Sequence, residues 1–101
     1  MHYALLYQVS EDYLSRRPEF REEHLTLAWE AHQRGELVLA GAFDEPADGA
    51  LLIFSGRSDE VARRFAQADP YVRHGLVRSW QVRPWNTVVG ELACNPVYPQ
   101  R

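Results

Sequence analysis

Two hydrophobic rhythms alternate along the chain. From His2 to Val9 the run HYALLYQV is aromatic and aliphatic throughout, which predicts a first strand. A helical spacing follows: between Pro18 and Arg34, residues Phe20, His24, Leu27, Ala28 and Ala31 recur every three or four positions. Glu22, Glu23, Glu30 and Gln33 fall on the opposite arc, which is the solvent side of an amphipathic helix. Pro18 suits the first helical position, where its missing amide hydrogen has no partner to lose, and Gly35 suits the stop. Ser10, Glu11 and Asp12 offer capping groups for a turn or short helix before it, through Arg17. Leu25 and Trp29 widen the apolar stripe and suggest a second contact surface on the helix.

Residues 36–43 (ELVLAGAF) predict a second strand, closed by turn chemistry at Asp44-Glu45-Pro46 and Asp48-Gly49. Residues 50–55 (ALLIFS) predict a third. Ser58, Asp59 and Glu60 signal a helix start, with Val61, Ala62, Phe65 and Ala66 facing inward as far as about Ala68. Pro70 ends that helix, because a residue before proline avoids helical geometry. A fourth strand is expected from Leu76 to Trp85. Residues 1–90 thus form one domain, and 91–101 (ELACNPVYPQR), with two prolines and little periodicity, form a tail.

Strand, helix, strand, strand, helix, strand is the order of an α+β, ferredoxin-like βαββαβ fold: an antiparallel sheet with both helices on one face. Tyr3, Leu5 and Tyr7 alternate with Ala4 and Leu6, and Leu51 and Ile53 with Leu52 and Phe54. Both sheet faces are therefore apolar, yet two helices cover only one. An uncovered apolar face marks an interface, and a twofold homodimer is the expected occupant.

Composition narrows the partners. The net charge is −3, and no basic run exceeds Arg16-Arg17 or Arg63-Arg64, which argues against nucleic acid. No apolar stretch approaches membrane-spanning length, and the N-terminus has no basic region ahead of its apolar run, so a cytoplasmic, membrane-free protein is expected. All eleven basic residues are arginine, which removes lysine Schiff-base chemistry. The one cysteine, Cys94, has no cysteine to pair with, and no cluster has zinc-ligand spacing. Neither a metal nor an organic cofactor is expected.

The candidate chemistry begins with His24. An imidazole on a buried stripe needs a hydrogen-bond partner. Asp69 lies in register with the inward face of the second helix, and the fold brings both to one side of the sheet. A histidine oriented by a carboxylate is a general acid or base near neutral pH. The plainer alternatives are a satisfied core histidine and an aspartate that caps a turn through Tyr71-Val72-Arg73. Arg21, one turn before His24, could hold a substrate carboxylate, pair with Asp69, or lie along the surface beside Glu22. Tyr7, Tyr71, Trp80 and Trp85 are candidates for a pocket wall, against core or interface roles. Gly41 could admit a ligand close to the backbone or mark a bulge.

Several of these residues together resemble the YciI-like (YCII-related) family: Arg17-Pro18 with His24-Leu25, Gly35-Glu36-Leu37, Ala40-Gly41, Ala68-Asp69-Pro70-Tyr71-Val72, Gly75, and Val82-Arg83-Pro84-Trp85. The likeness spans about residues 1–90. It implies a ferredoxin-like fold that dimerises in the manner of dimeric α/β-barrel proteins, with an active site pairing His24 and Asp69. It also implies small-molecule chemistry of the elimination or lyase type, although a fold does not carry a substrate with it. The expectation is a dimeric, cofactor-independent lyase or isomerase acting on a small organic acid. His24 moves the proton, Asp69 orients it, and Arg21, Tyr7, Gly41 and Tyr71 bind the substrate. The alternative is a non-enzymatic ligand-binding or accessory dimeric module.

Overall fold

The computed structural model describes residues 1–100; Arg101, the last residue of the expected tail, lies outside them. Its elements run β1 (His2–Val9), α1 (Tyr13–Gln33), β2 (Leu37–Ala42), β3 (Gly49–Ser55), α2 (Glu60–Ala68), α3 (Pro70–Arg73) and β4 (Val77–Trp85). The strands form one sheet in the order β2-β3-β1-β4, every neighbour antiparallel. This is the expected ferredoxin-like arrangement, the fold class of the dimeric α/β-barrel type.

The core lies between the sheet and the helices. Across β1 and β3, the pairs Tyr3↔Phe54, Leu5↔Leu52 and Tyr7↔Ala50 share the helix-covered face. Val61, Ala62, Phe65 and Ala66 of α2 complete the cluster, as their spacing implied. Ala4, Leu6, Leu51 and Ile53 point the other way. Ile53 is buried but stands outside the helix-side cluster, Leu6 and Leu51 are half-buried, and Leu39 is 74% exposed. Small side chains, Ala28 and Ala31, are the buried part of α1 beyond Tyr13. They fill less space than Leu or Phe would, and a gap remains between the helix and the sheet edge at β2.

Two boundaries differ from the sequence reading. α1 starts at Tyr13, so Pro18 sits inside the helix and not at its first position. The carbonyl that Pro18 cannot serve belongs to Leu14, an exposed residue, so the lost bond falls where solvent reaches it. Tyr13 is buried against Tyr71 at 5.9 Å between ring centroids, a tertiary contact that helps hold this extra turn. The second difference is a short helix, α3, where a turn was one option; Asp69 caps it by accepting from the Tyr71 amide at 3.0 Å.

At the other end of α1, Gly35 takes φ +80° and closes a Schellman pair: its amide bonds His32 O, and the Glu36 amide bonds Ala31 O. The chain is thereby turned directly into β2. A register step between Leu37 and Leu39 leaves Val38 as an extra residue on that strand. Residues 86–97 fold back on themselves through Asn95 N to Thr87 O and Val97 N to Val88 O. His2 anchors this return by its 2.8 Å contact with Thr87 Oγ1.

Candidate active site

Asp69 is fully buried at the junction of α2 and α3, because Pro70 forbids continuation of α2 and turns the chain there. Burying a carboxylate demands several donors. Three are present: the Tyr7 hydroxyl to Oδ2 at 2.8 Å, the Tyr71 amide to Oδ1 at 3.0 Å, and His24 Nδ1 to Oδ1 at 2.9 Å. β1, α1 and α3 thus converge on one side chain. An ionised carboxylate only accepts, so Nδ1 of His24 carries the hydrogen and the lone pair is on Nε2. Nε2 has no protein partner, and no buried side-chain nitrogen or oxygen among the described residues is left unpartnered. It is therefore open to the space beside it.

That space is a cleft of about 480 Å³ between α1 and the β2 edge of the sheet, a size that suits a small organic molecule. Tyr7, His24 and Tyr71 are part of its lining. Burial pushes the Tyr7 hydroxyl well above its ordinary range, reinforced by the Asp69 charge and hydrogen bond, so it remains a neutral donor. Burial also raises Tyr71, to about 12, aided by Tyr13 and opposed by the charges of Arg21 and Arg17.

Each expected residue has a definite place. His24 and Asp69 are in direct contact, and Asp69 both caps α3 and holds the imidazole, so the two readings of that residue coexist. Arg21 lines the cleft and is exposed; it pairs neither with Asp69, whose oxygens are taken, nor with Glu22. Tyr7 and Tyr71 line the cleft. Gly41 also lines it, but through its backbone: its partner is Leu51, on the face away from the helices, and a Cβ added there would meet nothing. Trp80 and Trp85 lie outside the cleft; Trp80 packs on the core and Trp85 is exposed.

Tyr13, Arg17 and His32, none of them an expected site residue, also line the cleft. Tyr13 and Arg17 are on the stretch expected as a turn or short helix ahead of the main helix, which is instead the start of α1, and the Arg17 guanidinium lies 5.5 Å from the Tyr13 ring centroid. His32 is fixed by its Nδ1, which donates to Leu37 O at 2.7 Å. The signal for all three was their spacing from His24, at −11, −7 and +8, which keeps them near one side of the helix. Among the described residues, no group of three or more His, Cys, Asp or Glu is placed to hold a metal ion. No described helix is long and apolar enough to cross a membrane.

A family model for the YCII-related domain matches residues 1–86. The chain belongs to that family. Protein YciI of Escherichia coli O6:H1 is 31% identical over 97 residues, which cover 87% of this chain and 99% of the relative. Protein YciI of Shigella flexneri matches to the same extent. Among solved structures, 5-chloro-2-hydroxyhydroquinone dehydrochlorinase (TftG) of Burkholderia phenoliruptrix AC1100, in complex with 2,5-dihydroxybenzoquinone, superposes with a TM-score of 0.72. That match covers 86% of this chain and 95% of the other, at 19% identity. Protein Atu4242 of Agrobacterium tumefaciens gives a TM-score of 0.57 at 16% identity, covering 93% and 98%. The YCII-related fold and its cleft fit a small-molecule site.

Proposed function

We propose that this YCII-related protein is a cofactor-independent enzyme that moves a proton on a small organic substrate, in an elimination or isomerisation. The observation that carries the reading is the 2.9 Å contact between His24 Nδ1 and the buried Asp69 carboxylate, with Nε2 open to the cleft. Nε2 removes a proton from a substrate carbon, and Asp69 stabilises the imidazolium that forms. In an elimination, the C–H electron pair becomes the new double bond and the leaving group departs with its own pair. In an isomerisation, the imidazolium returns the proton to a different carbon. Hydrolysis fits less well, since no nucleophile adjoins His24. TftG shares the fold, and dehydrochlorination, the activity in its name, is an elimination. Arg21 and Tyr71 position the substrate, with Tyr7 holding Asp69 and the Gly41 backbone forming part of the wall.

The proposed enzyme is a homodimer joined through the open sheet face, where Leu6 and Leu51 are half-buried and Leu39 is exposed. A cytoplasmic setting fits a chain with one unpaired cysteine.

Proton abstraction is tested without knowing the product. Small carbon acids are incubated with the protein in D2O, and deuterium uptake is followed by NMR. The reading expects exchange with a single-limb or bell-shaped pH dependence, lost in His24→Ala. Exchange that survives His24→Ala intact overturns it. The competing reading, a ligand-binding or accessory module, is favoured by the structural work Asp69 does as the cap of α3. On that reading, His24→Ala lowers stability or ligand affinity and no exchange is seen with any carbon acid.

A further inference from the structure

The polar side chains that line the largely apolar cleft belong to arginines, histidines, tyrosines and a tryptophan, and none is a carboxylate. Arg17, Arg21, His24 and His32 all reach it, whereas no Asp or Glu lines it, in a chain of net charge −3. Arg17 and Arg21 are one turn apart on α1, and like charges at that spacing repel. Neither has an Asp or Glu three or four residues away on the helix. Nor does either make an ion pair, while their neighbours do: Arg16 lies 3.8 Å from Asp12 and Arg73 lies 3.7 Å from Glu23. The Asp69 charge is spent on Tyr7, His24 and the Tyr71 amide.

From this arrangement we infer that Arg17 and Arg21 form an anion subsite at the mouth of the cleft, which takes the carboxylate of a substrate with an aromatic or apolar body. A pair of guanidinium groups offers forked donors matched to a carboxylate, and both are fixed in charge at any working pH. The Tyr71 hydroxyl lies within the field of both arginines, and its burial keeps it a neutral donor for the same anion. The body of the ligand would lie along Leu25, Ala28 and Trp29 on the helix side, facing Leu52 and Ala50 of the sheet. Arg21 precedes His24 by three residues, a rise of about 4.5 Å along the helix. Arg21 and His24 thus line the cleft from neighbouring positions of one helix, and a ligand anchored at Arg21 extends past His24.

The inference deepens the proton-transfer reading by naming its substrate class. The probe is benzoate, titrated into the full chain by NMR, with benzamide as its neutral isostere. Benzoate is expected to shift the His24 and Trp29 resonances and to bind about tenfold or more tighter than benzamide. Arg17→Gln and Arg21→Gln are each expected to weaken benzoate about tenfold and leave benzamide unchanged. Arg21→Lys should recover part of the loss, since charge remains while the fork is gone. Arg21 is exposed and Arg17 is half-buried over the Tyr13 ring, and neither makes an ion pair, so thermal melts of the variants should stay close to that of the parent. Absence of benzoate binding overturns the subsite, as does equal binding of benzamide or unchanged affinity in the Arg17→Gln/Arg21→Gln double variant. Benzoate binding that depends on the arginines, without deuterium exchange on any carbon acid, leaves the subsite standing and removes the proton-transfer reading. Exchange dependent on His24 with benzoate affinity blind to both arginines does the reverse.

Discussion

Tyr71 lies flat against His24, with ring centroids 4.0 Å apart and planes only 9° from parallel. The same residue donates its amide to Asp69 Oδ1, the oxygen that also contacts His24 Nδ1. One side chain therefore fixes the plane of the imidazole, and its backbone fixes the carboxylate that orients it. The π face of Tyr71 also favours a positive charge on the ring, which is the state His24 reaches after taking a proton.

Asp69→Asn keeps the size of the side chain and removes its charge. The amide cannot accept from three donors as the carboxylate does, and its NH2 group favours the wrong tautomer of His24. Exchange or turnover should fall by a factor of about 10² to 10⁴, the scale seen when the orienting acid of a histidine is neutralised. The loss of charged hydrogen bonds in a buried site should also cost about 2 kcal/mol or more of stability, read by urea unfolding. An Asp69→Asn protein with parental activity would separate the carboxylate from the chemistry.

Alkaline pH should destabilise the fold. The Tyr7 and Tyr71 hydroxyls are both raised above the ordinary value near 10, Tyr71 to about 12. Their contribution is complete below about pH 10, where the unfolded tyrosines are still neutral. Above it the unfolded chain releases protons that the folded chain retains, so stability declines as pH rises toward the folded values. Tyr7→Phe should flatten that alkaline decline and, at neutral pH, cost about 1–3 kcal/mol, because Oδ2 of a buried aspartate loses its donor. Urea midpoints at pH 7, 9 and 10.5 for both proteins check this; an identical slope in Tyr7→Phe would count against it.

Gly49→Ala and Gly41→Ala should behave in opposite ways. A Cβ at Gly49 would stand 2.6 Å from the Tyr7 carbonyl oxygen and 3.2 Å from the Phe43 ring, so β3 must move away from β1. A loss of about 1–3 kcal/mol is expected. A Cβ at Gly41 meets nothing within 4 Å, and alanine there should leave stability unchanged or raise it by about 0.5 kcal/mol. Thermal melts of the two variants, side by side, give the comparison.

Much of this architecture is written in local patterns. The alternation grouped Tyr3, Leu5 and Tyr7 on one face of β1, although with both faces apolar only the packing shows that this face meets the helices, and the spacing from Phe20 to Ala31 set the inward side of α1. Asp69-Pro70 marked the break between α2 and α3 because proline excludes helical geometry from the residue before it. Pro18 was misleading for the same local reason: its ring suits a helix start, but burial of Tyr13 against Tyr71 extends the helix past it. Arg17, noted only for its family likeness, and His32 were not expected in the cleft, because helical periodicity says which side of a helix a residue occupies, not what stands opposite. Gly41 stood out for its flexibility, yet the register of β2 against β3 points its missing side chain away from the cleft.

The sequence by itself determined the order of the elements, the inward faces of the two long helices and the two residues, His24 and Asp69, that had to find partners. These follow from short-range sterics and from the cost of burying an unsatisfied polar group. Only the tertiary structure decided that they find each other. It also set aside three donors for one carboxylate and left a gap beneath α1, where small alanines pack, with Nε2 facing it. Such contacts join residues 45 and 62 positions apart, and no local rule along the chain fixes their distance.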